Sequence, residues 1–169
     1  MTLMTSYNSL MVDKRIVVDT GPLILLAKIE ALPIAAQLPH QFIAPQNVMD
    51  ELAAGLALGY QAVEAPWLQV VDLKSPIPEM IRATLDDGEA AVIQLALEQG
   101  INIVCLDDLR GRRLAKAVGL SVVGVLGLLG KAKALGLIPA LRPYAEKLLA
   151  VGARYSPELV SRMIAEIDR

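Results

Sequence analysis

The chain is short of histidine and cysteine, and each shortage excludes a class of site. It has one histidine and one cysteine in 169 residues, so it cannot assemble a zinc site from Cys and His ligands. Cys105 lies within an apolar, strand-like run, which indicates a packing role in a reducing compartment. We therefore expect a cytoplasmic protein. The sequence also lacks a G-x-S-x-G motif, which excludes the usual serine-hydrolase elbow.

Aromatic residues and long apolar runs are scarce as well. Aromatics make up 4% of the chain although hydrophobic residues make up 54%, so aliphatic side chains must build the core. No apolar run approaches the roughly 18 residues of a membrane-spanning helix, and the longest, 122–130, is interrupted by glycines. We expect no membrane association. The surplus of aliphatic side chains in a chain of this kind favours a homodimer.

The order of apolar segments predicts one α/β domain. Residues 1–14 are expected to form a flexible N-terminal tail, residues 15–169 a single domain, and residues 139–169 a helical addition at its end. Short β-rich runs alternate with helical patterns, and several runs are apolar almost without alternation, which is typical of a parallel sheet buried on both faces. The predicted strands are 15–19, 41–44, 68–73, 101–106 and 121–125.

Five carboxylates lie where apolar segments end or helices begin. They are Asp19, Glu51, Glu89, Asp107 and Asp108. Taken singly, each is well explained as a helix cap or a solvated first-turn residue. In an open parallel sheet, however, ligands gather outside the carboxyl ends of the strands. If the first and fourth strands are neighbours, Asp19 and Asp107 share one crevice, and a group of carboxylates there suits Mg²⁺ or Mn²⁺.

Four stretches in order resemble the PIN domain, a nuclease fold that includes the toxins of many toxin–antitoxin pairs. They are V-V-D-T-G-P-L-I, N-V-M-D-E-L, D-D-G-E-A-A-V-I-Q-L-A and I-V-C-L-D-D-L-R-G-R-R-L-A. The stretch V-V-G-V-L-G-L-L-G-K-A-K-A-L-G-L-I is similar to one PIN subgroup. The resemblance covers residues 15 to about 140 and is weaker to the end of the chain.

The resemblance implies a three-layer α/β/α fold with a parallel sheet of about five strands in the order 3-2-1-4-5. It also implies an acidic Mg²⁺ or Mn²⁺ site. By position, Asp19, Glu51 and Glu89 match the first three family acids, and the fourth falls on Asp107 or Asp108. All five would be catalytic, and the metal ligands would be drawn from the following four: Asp19, Glu89, Asp107 and Asp108. Thr20 matches a supporting hydroxyl. The third family acid is often Asp, and because Glu89 is one methylene longer, its carboxylate lies further from the backbone.

The implied activity is that of a metal-dependent endoribonuclease, which hydrolyses RNA phosphodiester bonds with a metal-activated water. Four basic residues follow the doubled aspartate, namely Arg110, Arg112, Arg113 and Lys116. They would suit RNA phosphates, although a solvated helix face explains each of them equally well. The toxin resemblance adds an antitoxin protein to the expected partners. The alternative is a non-catalytic PIN-like module that binds RNA or protein.

Overall fold

The computed structural model describes residues 14–169, which form five strands and nine helices. The predicted N-terminal tail lies outside the described residues except for Lys14. The strands are β1 (Arg15–Val18), β2 (Gln41–Pro45), β3 (Gln69–Val71), β4 (Ile103–Cys105) and β5 (Ser121–Val123). The helices are α1 (Thr20–Lys28), α2 (Leu32–Gln37), α3 (Gln46–Ala57), α4 (Glu79–Arg82), α5 (Asp87–Gln99), α6 (Leu109–Ala117), α7 (Val125–Ala134), α8 (Arg142–Ala150) and α9 (Pro157–Ile167).

The strands form one parallel sheet in the order β3-β2-β1-β4-β5, which confirms the predicted fold class. In β1, Ile16, Val17 and Val18 are at most 1% exposed. Because successive residues of a strand point to opposite faces, helices must cover both faces of the sheet centre. Strand β3 is shorter than predicted and mostly exposed at the sheet edge.

Parallel connections place the starts of four helices at one edge of the sheet. Helices α1, α3, α6 and α7 each begin within four residues of the end of a strand. Helix α5 packs across β2, β1 and β4, and its residues from Gly88 to Ile93 are all buried. The carboxyl edge of the sheet therefore collects helix N-termini, each with unpaired backbone N–H groups and a positive dipole end. Among residues 14–169, none of the helices combines the length and apolar character needed to cross a bilayer.

The two C-terminal helices pack onto this unit. Helix α9 contacts α7 and buries Val160, Met163 and Ile164. Its first turn is capped by Ser156, whose Oγ accepts a hydrogen bond from the N–H of Leu159 at 3.1 Å. Helix α8 begins after Leu141, whose side chain cannot cap. That function falls to Asp168, at the far end of α9.

We predict that Asp168→Ala destabilises the protein by about 1–2 kcal/mol, the usual value of a lost helix cap. The Asp168 carboxylate accepts hydrogen bonds from the N–H groups of Leu141 at 2.6 Å and Arg142 at 2.9 Å, and alanine leaves both donors unpaired. Urea unfolding measures the change. Glu166→Ala, an exposed acid on the same helix, is the control and should change stability little. Equal stabilities of the two variants would contradict the assignment.

Candidate active site

The pairing of β1 with β4 brings Asp19 and Asp107 to the same edge. Val18 pairs with Cys105, and the backbone N–H of Asp19 donates to the carbonyl of Cys105 at 3.1 Å. Asp19 precedes α1, but its side chain makes no capping hydrogen bond. Among the described residues, Asp19 Oδ1 and Asp107 Oδ2 are buried oxygens without a hydrogen-bond partner. Burying a carboxylate oxygen without a partner costs free energy, so these two oxygens indicate a position where a ligand could bind.

Thr20 and Glu51 join α1 to α3 beside Asp19. Thr20 Oγ1 donates to Glu51 Oε2 at 2.7 Å, so the predicted supporting hydroxyl acts on Glu51. Gly88 at the start of α5 makes room for this carboxylate, because a Cβ at that position would lie 2.6 Å from Glu51 Oε2. The hydroxyl and the missing side chain together fix where Glu51 can sit.

The start of α5 contributes Glu89 and also Asp86, which is not among the five acids selected from the sequence. Asp86 does cap α5, since its Oδ1 accepts from the N–H of Glu89 at 2.8 Å. Its charge also acts on both Asp19 and Glu89. The spacing D-x-x-E could have predicted this proximity, because a cap and the residue three places later lie on the same helix end. Asp87 instead binds Asn47 at 2.9 Å.

The two adjacent aspartates after β4, Asp107 and Asp108, have different environments. Asp108 is exposed and caps α6 by accepting from the N–H of Arg110 at 2.9 Å. Asp107 turns inward, where its Oδ1 accepts a hydrogen bond from the hydroxyl of Tyr155 at 2.6 Å. No sequence pattern had indicated Tyr155. Burial and the adjacent Asp107 raise the pKa of Tyr155 above its ordinary value, so the phenol stays a donor.

Six carboxylates thus share this edge, and we call them the acidic cluster: Asp19, Glu51, Asp86, Glu89, Asp107 and Asp108. Burial, with repulsion from neighbouring acids, raises the pKa of Asp19 to about 7, although the N–H of Thr20 opposes the shift. Burial and the charges of Asp86, Asp108 and Asp19 raise the pKa of Glu89 to about 8. Burial also raises the pKa of Asp107, while Tyr155 and Arg112 lower it. The protein therefore holds protons at this edge near neutral pH.

The donor chemistry of the acidic cluster fits a hard divalent cation. Within residues 14–169, no three His, Cys, Asp or Glu side chains are already arranged to hold a metal ion. The fit rests instead on the carboxylate oxygens themselves and on the two buried oxygens of Asp19 and Asp107 that lack partners. Burial and repulsion between the acids, which raise the pKa values of Asp19 and Glu89, add to it. A divalent cation bound here would offset the repulsion between these carboxylates.

The predicted basic residues differ in how they meet this edge. Arg112 turns inward and donates to the carbonyl of Leu106 at 2.8 Å. Arg110 lines a hollow of about 310 Å³ together with Glu89 and Asp108. Arg113 and Lys116 are exposed along α6 and line neither this hollow nor the larger cavity beside it.

A larger cavity adjoins the hollow. It has a volume of about 840 Å³, and α6, α7 and α9 contribute to its walls. Apolar side chains such as Leu126, Leu159 and Met163 line it, and Asp107 lies beside them. Asp108 and Arg110 line both spaces. Four members of the acidic cluster thus line these two adjoining spaces: Asp86 and Glu89 the hollow, Asp107 the larger cavity and Asp108 both.

Comparison with known families matches the whole of this unit. A model of the PIN domain matches residues 15–169, whereas comparison with curated proteins found no match. The matched range contains the sheet and every residue of the acidic cluster. PIN domains are generally nucleases, act on nucleic acids and typically use divalent metal ions. Since the match spans nearly the full chain, the resemblance seen in the sequence is confirmed, and the chain belongs to the PIN-domain family.

Proposed function

We propose that this protein is a Mg²⁺- or Mn²⁺-dependent endoribonuclease. The observation that carries the proposal is the acidic cluster, in which two buried carboxylate oxygens lack a hydrogen-bond partner and the pKa values of Asp19 and Glu89 are raised by burial and by neighbouring acids. A purely structural edge would gain stability by replacing such residues with neutral ones. Keeping several acids there despite the cost indicates that they bind a charged ligand.

The residues that would hold the metal follow from their exposure and partners. Asp19, Glu89 and Asp107 supply inward-facing carboxylates, and Glu51, oriented by Thr20, stands beside them. We favour Asp107 over Asp108 as the fourth family acid, because Asp108 is exposed and already caps α6. A bound divalent cation supplies a water of lowered pKa and stabilises negative charge on the phosphate under attack.

The remaining roles fall to the chain itself. Arg110 lies at the junction of the two cavities, where its guanidinium can bind a phosphate beside the acids. Arg113 and Lys116, exposed further along α6, extend the positive charge along the path of an RNA strand. The single histidine, His40, directly precedes β2 and so lies at the opposite, amino edge of the sheet. A histidine base is therefore not part of the proposed mechanism.

The biological setting is proposed from the family resemblance. A toxin role, an antitoxin partner and a cytoplasmic location all fit a small PIN-domain ribonuclease, and a ribbon-helix-helix or similar protein encoded next to this chain would support the toxin role. The alternative function is a non-catalytic module that binds RNA or protein through the same edge. Retention of all the expected acids favours catalysis, and cleavage assays separate the two functions.

We predict that Asp19→Asn reduces cleavage of RNA by at least about 100-fold, because it removes a metal-ligating charge while preserving shape. The measurement is cleavage of a varied RNA pool by purified full-length protein with Mn²⁺ or Mg²⁺, analysed on denaturing gels. Chelation by EDTA should stop cleavage and added metal should restore it.

The matched control for this experiment is Asp50→Asn. Asp50 is exposed next to Glu51 and binds Gln46 at 3.0 Å, so the same chemical change should leave cleavage intact. The nuclease proposal fails if wild type and Asp19→Asn both leave the RNA intact. RNA binding without cleavage would instead favour the non-catalytic module.

We predict that the metal-free protein loses thermal stability as pH rises from about 5 to about 8. Asp19 and Glu89 release protons near pH 7 and 8 when folded, but near their ordinary values of 3.8 and 4.5 when unfolded. Between these limits the native state binds more protons, so rising pH favours unfolding. Mn²⁺ should restore more stability at the higher pH than at the lower.

The comparison that isolates this effect uses the same pair of variants. Asp19→Asn should flatten the fall in Tm measured in EDTA, and Asp50→Asn should keep the wild-type slope. Equal slopes for the wild type and Asp19→Asn would show that Asp19 titrates at its ordinary pKa and would contradict the prediction.

We also predict a homodimer. Exposed apolar side chains cluster at the end of α3, where Leu56, Leu58 and Tyr60 are 55%, 76% and 64% exposed, and burial against a second copy would remove them from water. Light scattering on a gel-filtered sample at micromolar concentration should give the mass of two chains. The mass of one chain would refute the prediction.

A further inference from the structure

The C-terminal helices deliver one side chain to the acidic cluster. Tyr155 lies in the connection between α8 and α9 and is half-buried. On one side, α8 ends at Ala150 and is followed by Gly152, whose φ of 89° is readily adopted by glycine. On the other, Ser156 caps α9. Two defined helix ends thus fix the backbone on either side of Tyr155.

The contact of Tyr155 with Asp107 is close and one-sided. The hydroxyl donates to Asp107 Oδ1 at 2.6 Å, whereas Asp107 Oδ2 is buried without a partner. Gly124 makes space for the pair, because a Cβ there would lie 2.7 Å from Asp107 Oδ1 and 3.5 Å from the Tyr155 hydroxyl. One oxygen of the carboxylate is therefore held, and the other is left available.

The chemical nature of the donor matters as much as its position. A lysine or arginine bonded to Asp107 would neutralise the charge that a cation needs, whereas a phenol orients the carboxylate and leaves its charge in place. The guanidinium of Arg112 lowers the pKa of Asp107 through its charge, but it donates its hydrogen bond to the carbonyl of Leu106. Tyr155 is thus suited to orienting an acid that must still bind a cation.

We propose that Tyr155 is a positioning residue for the metal site, holding Asp107 Oδ1 so that Oδ2 would remain available to a cation. This inference rests on the proposed metal-dependent function. It assigns the C-terminal helices a part in the site, since they carry the side chain that orients one of its acids. Loss of an outer-shell partner of a metal ligand typically weakens metal binding about 10- to 100-fold.

The test is Mn²⁺ binding to full-length protein by calorimetry, with no RNA present. Tyr155→Phe should raise the Kd for Mn²⁺ about tenfold or more. Tyr144→Phe is the matched control, because it removes a hydroxyl from α8, also in the C-terminal part of the chain, and should leave the Kd unchanged. In an Asp107→Asn background, Tyr155→Phe should cause no further loss, since the carboxylate it orients is gone.

Gly124→Ala tests the same geometry by a second route. Its Cβ would displace the Asp107 carboxylate, so we expect weaker Mn²⁺ binding with Tyr155 still present; circular dichroism establishes that each variant is folded. A purely structural role for Tyr155 would lower Tm and leave the Kd unchanged, and that result overturns the inference alone. If the wild type binds no Mn²⁺ at millimolar concentration, the proposed metal site fails and the inference falls with it.

Discussion

The parallel pairing of β1 with β4 is the constraint on which the site depends. Both strands are buried on both faces, so their backbones cannot move apart without exposing the centre of the core. Asp19 comes directly after β1 and Asp107 two residues after β4, so both are held at one edge of the sheet. The fold thus removes these carboxylates from water and holds them near other acids, and both effects, burial first, raise the pKa values of Asp19 and Glu89.

Several acids at this edge accept hydrogen bonds from neutral donors, which leave the carboxylate charges in place. Glu51 accepts from the neutral Thr20 hydroxyl, Asp107 from the neutral Tyr155 hydroxyl, and Asp86 from a backbone N–H. Such donors orient the carboxylates and preserve their capacity to bind a cation. Two glycines serve the same arrangement, because Gly88 and Gly124 leave the space that a carboxylate occupies. Local hydrogen bonding and packing are thus both compatible with the proposed binding of a cation at this edge.

Much of this could be predicted from the residues. The nearly continuous apolar runs predict a parallel sheet, which the structure confirms, and the ordered acids identified the family. The sheet order came from the resemblance, because strand pairing is not encoded in a local pattern. The sequence selected Asp19, Glu51, Glu89 and the Asp107–Asp108 pair because each stands beside an apolar stripe or at a strand end, and the structure places all five in the acidic cluster. Asp86 was not among them, because capping alone explains an acid just before a helix.

The sequence by itself determined the fold class, the family and the residue types available for chemistry, because periodicity and motif order are local properties of the chain. Only the tertiary structure decided how the acids differ. It turned Asp107 inward and left Asp108 exposed, although the two are adjacent and chemically identical. It also brought Tyr155 to Asp107 across 48 residues. Contacts between residues so far apart in sequence depend on how the helices pack against the sheet, and this packing cannot be predicted from the spacing of two residues.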